Sequence, residues 1–150
     1  LYLYFGTRAD LLIAVTQYVD ELKASNERLA PSRTAQSGIE RLEAYISAWA
    51  AYIPEIYGVA QALMAMQDDD AKTAWQTRMQ DMWEGCEAAM KALKADGKLD
   101  PAYSVKEASD VLWMMLSVRN WEHLCVERKW SQRKYAQHLL DTARRLFVKP

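Results

Sequence analysis

The sequence predicts an all-α fold, on three observations. Apolar side chains recur at helical spacing along almost the whole chain, cap and breaker residues stand at the ends of those periods, and no alternating stretch of strand length competes with them. With 150 residues, 51% of them hydrophobic, there is enough material for one sizeable core. No internal repeat or low-complexity tract divides the chain.

The first long period runs from about Thr7 to Leu29. Leu11, Leu12, Val15, Tyr18, Val19 and Leu22 fall at i, i+1, i+4, i+7, i+8 and i+11, one buried stripe, while Asp20, Lys23, Glu27 and Arg28 take the opposite face. Pro31 is expected to end this helix, followed by a polar connection from Pro31 to Gly38. A second helix is expected from near Ser37, with Ile39, Leu42, Ile46, Trp49 and Ile53 on one face. It should stop or kink at Ile53, because Pro54 follows. Pro54 then suits the first turn of a short helix over residues 55–66.

Asp68, Asp69 and Asp70 place negative charge at the positive end of a long helix. Trp75, Met79, Met82, Trp83, Cys86, Met90 and Leu93 follow its period, and Asp96-Gly97 closes it. Ser104-Val105-Lys106-Glu107 reads as a capping box. The helix it opens is apolar on nearly every side from Val111 to Val118, so it needs two packing partners. Ser131 caps a last helix, whose apolar face holds Tyr135, Leu139, Leu140, Ala143, Leu146 and Phe147. Arg144, Arg145 and Lys149 lie near its favourable C-terminal end.

The opening stretch is different in kind. In Tyr2-Leu3-Tyr4-Phe5-Gly6-Thr7-Arg8-Ala9-Asp10-Leu11-Leu12 a short aromatic segment stops at a glycine, and Thr7 can cap the helix that follows. Arg8 then stands in a first helical turn, where a cation opposes the dipole unless an external anion meets it. These residues resemble the end of the recognition helix and the start of the fourth helix in the tetracycline-repressor (TetR) family of transcriptional regulators. The family pattern is Tyr-x-(His/Tyr)-Phe, a small residue or Pro, Ser, Lys, two mostly polar residues and Leu-Leu. Arg8 replaces the usual Lys, and Ala9 an acidic residue common there. The resemblance implies that residues 1–6 end a helix-turn-helix domain and residues 7–150 form a TetR-like ligand-binding and dimerisation bundle. It further implies that Tyr2, Tyr4 and Arg8 contact the DNA backbone, and that most of the DNA-reading segment precedes Leu1.

Composition limits other functions. With 19 basic and 20 acidic residues the chain has no overall field for nucleic acid, so operator binding would rest on the mostly absent N-terminal domain. Cys86 and Cys125 are too few for a disulfide framework and do not cluster with His123 or His138 at zinc spacing, so no metal or cofactor is expected and a reduced, cytoplasmic setting fits. No apolar run reaches the roughly 18 residues of a membrane span. Glu122 and His123 are adjacent, about 100° apart on a helix, and cannot act as a base with its orienting partner.

Large adaptable side chains are abundant instead, including six Trp and seven Met. Trp and Tyr bring polar atoms that need partners and Met packs loosely, which suits an aromatic-lined ligand cavity better than a dedicated core. Trp49, Tyr52, Ile53, Met79, Trp83, Cys86 and Trp113 are the expected lining, with Ser117, Asn120 or Gln61 as orienting polar groups. TetR-like proteins hold their ligand between the corresponding helices, and the implied function is a repressor released from its operator by a hydrophobic or aromatic small molecule. The surplus apolar surface predicts a two-fold homodimer through Leu112, Leu116, Leu139, Leu140, Ala143 and Phe147, the manner in which TetR-like proteins associate. Two other readings remain: a helical protein-interaction adaptor, and an enzyme with a helical apolar cavity, for which no convergent acid, base or metal set is visible.

Overall fold

A computed structural model describes residues 6–8, 10–14, 17 and 25–150. The fold is all-α, with no strand among the described residues. Thr7 caps a helical turn as expected: its Oγ1 accepts from the Asp10 amide at 3.1 Å and its carbonyl from the Leu11 amide at 3.2 Å. Leu12 and Ile13 pack near Leu63 and Ala71, while Leu11 stays exposed. The expected stripe positions Val15, Tyr18, Val19 and Leu22, like Tyr2 and Tyr4, lie outside the described residues.

The helix α1, Ser25–Arg33, contains Pro31 instead of ending before it. So close to the C-terminal end, a proline removes one amide from the last turns and lets the remaining turn close, with the Thr34 amide bonded to the Ala30 carbonyl at 2.9 Å. Ser32, buried, then ties α1 to the next helix by donating to the Arg41 carbonyl at 3.0 Å.

The helix α2, Gly38–Ala65, corrects a second expectation, because it runs through Pro54 and absorbs the short helix expected after it. Pro54 has no amide to offer the Ala50 carbonyl one turn back. Gln132 supplies the missing donor, its Nε2 lying 2.6 Å from that oxygen. At the start of α2, Ser37 Oγ accepts from the Glu40 amide at 3.2 Å and Asp96 Oδ2 accepts from the Gly38 amide at 2.6 Å. Gly38 is required there, since a Cβ would sit 2.6 Å from the Leu93 Cα.

Asp68 caps α3, Asp69–Ala95, with its Oδ1 2.8 Å from the Asp70 amide and 3.2 Å from that of Ala71. Its end is a Schellman closure: Gly97 takes φ +69°, Lys98 donates to the Leu93 carbonyl at 3.0 Å and Gly97 to that of Lys94 at 2.9 Å. The helix α4, Val105–Met115, starts with Ser104 Oγ accepting from the Glu107 amide at 3.1 Å. Only half of the expected reciprocal box forms, because the Glu107 carboxylate takes the Ser104 hydroxyl at 2.9 Å.

The long apolar helix expected through Val118 breaks at Leu116. Ser117 caps a new short helix, α5, Val118–Trp121, which continues into a wide π-type turn, Glu122–Glu127, whose Arg128 amide reaches the His123 carbonyl at 3.0 Å. This change of direction divides the apolar run between two cores. Leu112, Met115 and Leu116 enter the main one with Leu42, Ile46, Met90 and Tyr135, while Val118 joins Tyr52, Ile53 and Ile56 in a second. The helix α6, Gln132–Phe147, is capped by Ser131 and buries Tyr135, Leu139, Ala143 and Phe147, one residue per turn.

Those contacts bear on the expected dimer face. Leu112, Leu116, Leu139, Ala143 and Phe147 are enclosed by the chain's own helices, so their side chains are not available to a second copy; Leu140 is half-buried. Trp113 and Met114, on the same helix as Leu112, stay exposed. No helix among the described residues is long and apolar enough to cross a membrane.

Candidate functional site

A cavity of about 530 Å³ lies between α1, α2 and α3, large enough for a drug-sized molecule. Each helix contributes a stripe. From α2, Arg41, Tyr45, Ala48, Trp49 and Tyr52 succeed one another at intervals of three or four, or as neighbours, on one face; α3 adds Arg78, Asp81, Met82, Glu84, Gly85 and Ala88; α1 adds Arg28, Leu29, Ser32 and Arg33.

The aromatic wall is well fixed. The Tyr45 hydroxyl donates to the Met82 carbonyl at 2.8 Å, and Gly85 leaves the room this needs, since a Cβ there would come within 2.2 Å of that hydroxyl. Burial, above all, holds the Tyr45 phenol in its protonated form. Trp49 meets Tyr45 edge-on at 6.4 Å between ring centroids and lies tilted against Tyr52 at 5.6 Å. The Trp49 indole nitrogen is buried and makes no hydrogen bond among the described residues.

Cations bracket this wall. The Arg28 guanidinium lies 4.8 Å from the Tyr52 ring centre and pairs with Glu55, while Arg78 donates to the Tyr52 hydroxyl at 3.3 Å. Arg33 and Arg41 stand toward the other end, near the Ser32 bridge between α1 and α2. Arg28, Arg41 and Arg78 are half-buried, whereas the two lining carboxylates, Asp81 and Glu84, are exposed.

Of the lining expected from sequence, Trp49 and Tyr52 are in place. Ile53 is fully buried behind them in the second core, and Cys86 in the main one, where burial pushes its thiol up to about 12. Met79, Trp83 and Trp113 gather instead along the seam of α3 and α4. There Trp83 Nε1 donates to Asp110 at 2.8 Å and Trp113 Nε1 to the Met79 carbonyl at 3.0 Å. Lys106, then Trp83, hold the Asp110 carboxyl below its ordinary range. Ser117 spends its oxygen on the Arg119 amide at 3.2 Å, and Asn120 donates to the Met114 carbonyl at 2.8 Å, so both are structural. Gln61 is exposed and absent from the cavity wall.

The arginines and Tyr45 are what the sequence reading missed. A signal existed: Arg41, Tyr45, Trp49 and Tyr52 form a polar-to-aromatic stripe beside the apolar one on the same helix. No group of three or more His, Cys, Asp or Glu side chains stands together at metal-binding distance among the described residues. No protein-family profile, curated protein or solved structure matches the chain.

Proposed function

We propose that this chain is the effector-binding and self-associating portion of a ligand-responsive transcriptional regulator of the TetR type, acting in the cytoplasm as a repressor. The observation that carries the reading is the cavity wall formed by α1. In sequence, α1 follows the Thr7-capped turn and the motif that resembles the end of a recognition helix. Of the three helices around the cavity, α1 is the one nearest in sequence to the proposed DNA-reading segment. A small molecule that favours one placement of α1 changes the spacing of two recognition helices in a homodimer. Ligand and DNA affinity are then reciprocally coupled.

The test is selection of double-stranded DNA from a random pool by the intact protein. The reading expects enrichment of a two-fold symmetric site whose affinity falls steeply with salt. Failure to enrich any duplex would overturn it and leave the adaptor reading in its place.

A further inference from the structure

We infer that the start of α6 and the turn before it form a nucleic-acid contact, a basic patch that holds a phosphate backbone without reading its sequence. The patch uses other residues than the cavity and does not depend on the effector reading.

A net charge near zero conceals a segregation. Residues 118–150 hold eight Lys and Arg against three Asp and Glu, whereas the whole chain has 19 against 20. The density peaks at Arg128, Lys129, Arg133 and Lys134, four exposed cations within seven successive positions that include no carboxylate. None of the four makes an ion pair among the described residues. Cations elsewhere are matched within the chain: Lys91 by Glu87, Lys106 by Asp110, Arg119 by Glu122 and Arg144 by Glu43. The carboxylates nearest to the patch in sequence are engaged by other groups. Glu127 meets His123 at 3.1 Å, and Asp141 accepts from Gln137 at 2.9 Å.

The fold gathers these charges against their mutual repulsion. Lys134 Nζ lies 4.1 Å from the centre of the Trp130 ring, which His138 meets edge-on at 5.3 Å, so Lys134 is held beside the segment that carries Arg128 and Lys129. Lys129 takes φ +61°, the one positive value outside glycine among the described residues, and the Trp130 amide pins the turn by donating to the Leu124 carbonyl at 2.9 Å. Arg133 and Lys134 stand in the first turn of α6, where the helix dipole favours acidic side chains and none is present. Crowded cations and an opposed dipole are unfavourable in the chain by itself. A polyanion relieves both.

The surroundings select among polyanions. Helix α6 spends its apolar face, with Tyr135, Leu139, Ala143 and Phe147, on the main core, so it does not lie as an amphipathic helix in a bilayer surface. Two guanidinium and two ammonium groups on an exposed surface suit closely spaced phosphates, each contact releasing a counterion from the nucleic acid.

The experiment follows the anisotropy of a labelled duplex of arbitrary sequence, about 20 base pairs long, titrated with the intact protein between about 50 and 200 mM salt. One variant combines Arg128→Gln, Lys129→Asn, Arg133→Gln and Lys134→Gln, with Asn at 129 because it tolerates the left-handed backbone. A charge-matched control combines Lys72→Gln, Lys91→Gln, Lys94→Gln and Lys106→Gln, all at exposed positions of α3 and α4. The inference expects the patch variant to bind at least about tenfold more weakly at the lower salt, with a salt dependence flattened by roughly three to four counterions, and the control to lose far less. Absence of duplex binding by the unmodified protein, or equal losses in the two variants, would overturn it. Tighter binding to vesicles containing phosphatidylserine, or displacement of the duplex by an equal charge of polyglutamate, would overturn it in favour of a membrane or an acidic protein.

Discussion

Gln132 completes the backbone of a helix it does not belong to. Its Nε2 donates at 2.6 Å to the Ala50 carbonyl, the oxygen that Pro54 leaves without its helical donor, and its Oε1 accepts from the Trp121 indole at 3.0 Å. One side chain at the start of α6 thereby joins α2 to α5.

That arrangement predicts an interaction between two distant substitutions. Gln132→Ala should lower unfolding free energy by about 1–3 kcal/mol, because the Ala50 carbonyl and the Trp121 N–H both lose a partner. In a Pro54→Ala background, where residue 54 again has an amide, urea titrations should show a clearly smaller loss. Identical losses in the two backgrounds would mean that Gln132 does not compensate for the proline.

Two glycines of α2 should respond in opposite directions. At Gly58 an added Cβ meets nothing within 4 Å, so Gly58→Ala should stabilise by about 0.5–1 kcal/mol through helix propensity. At Gly38 the same change drives a methyl into the α3 backbone and should cost about 1–3 kcal/mol or more. Thermal melts of the two variants provide the comparison.

Stability should fall in alkali. Burial raises the folded-state pKa of Cys86 from 9.0 to about 12, so between these values the unfolded chain has released a proton that the folded chain keeps. Within that window the slope is negative, and Cys86 alone should remove about 1.4 kcal/mol per pH unit. Tyr45 and Tyr135, both raised by burial above their ordinary 10.0, steepen the loss beyond that pH. Denaturant midpoints between pH 8 and 10 should therefore decline less in Cys86→Ala; a slope indifferent to that change would contradict the assignment.

Self-association and folding should separate on α6. Leu139 is 5% exposed and packs in the main core, so Leu139→Glu should unfold the protein, by burying an unpaired charge. Leu140→Glu, together with Met114→Glu at a side chain 54% exposed, should leave it folded and, if these outer rows carry the proposed two-fold, shift sedimentation toward monomer. A folded dimer insensitive to both would place the contact elsewhere.

How much of this was legible in the sequence depended on the range of the chemistry involved. The caps at Ser104 and Ser131, the helix starts near Ser37 and Asp68, and the Asp96-Gly97 closure were readable because donor and acceptor lie within a few residues. The separate helix expected after Pro54 was a misreading, because the donor that keeps α2 continuous there comes from Gln132, 82 positions away. The cavity was half-read for a related reason. Trp49 and Tyr52 drew attention as aromatics, but Arg28, Arg33, Arg41 and Arg78 sit on three helices, and each by itself resembles an ordinary solvated cation. Five residues of the expected dimer face, Leu112, Leu116, Leu139, Ala143 and Phe147, are instead drawn into the main core by packing between distant helices, which no short stretch of sequence displays.

The contact of Gly38 with Asp96 and Leu93 has a mechanical side. Helices α2 and α3 are joined at one end by the short turn through Asp68, and tied at the other by the bond from the Gly38 amide to Asp96. Two helices tied at both ends resist being parted, so in the proposed regulator the adjustment to an occupant falls on α1, the third wall of the cavity.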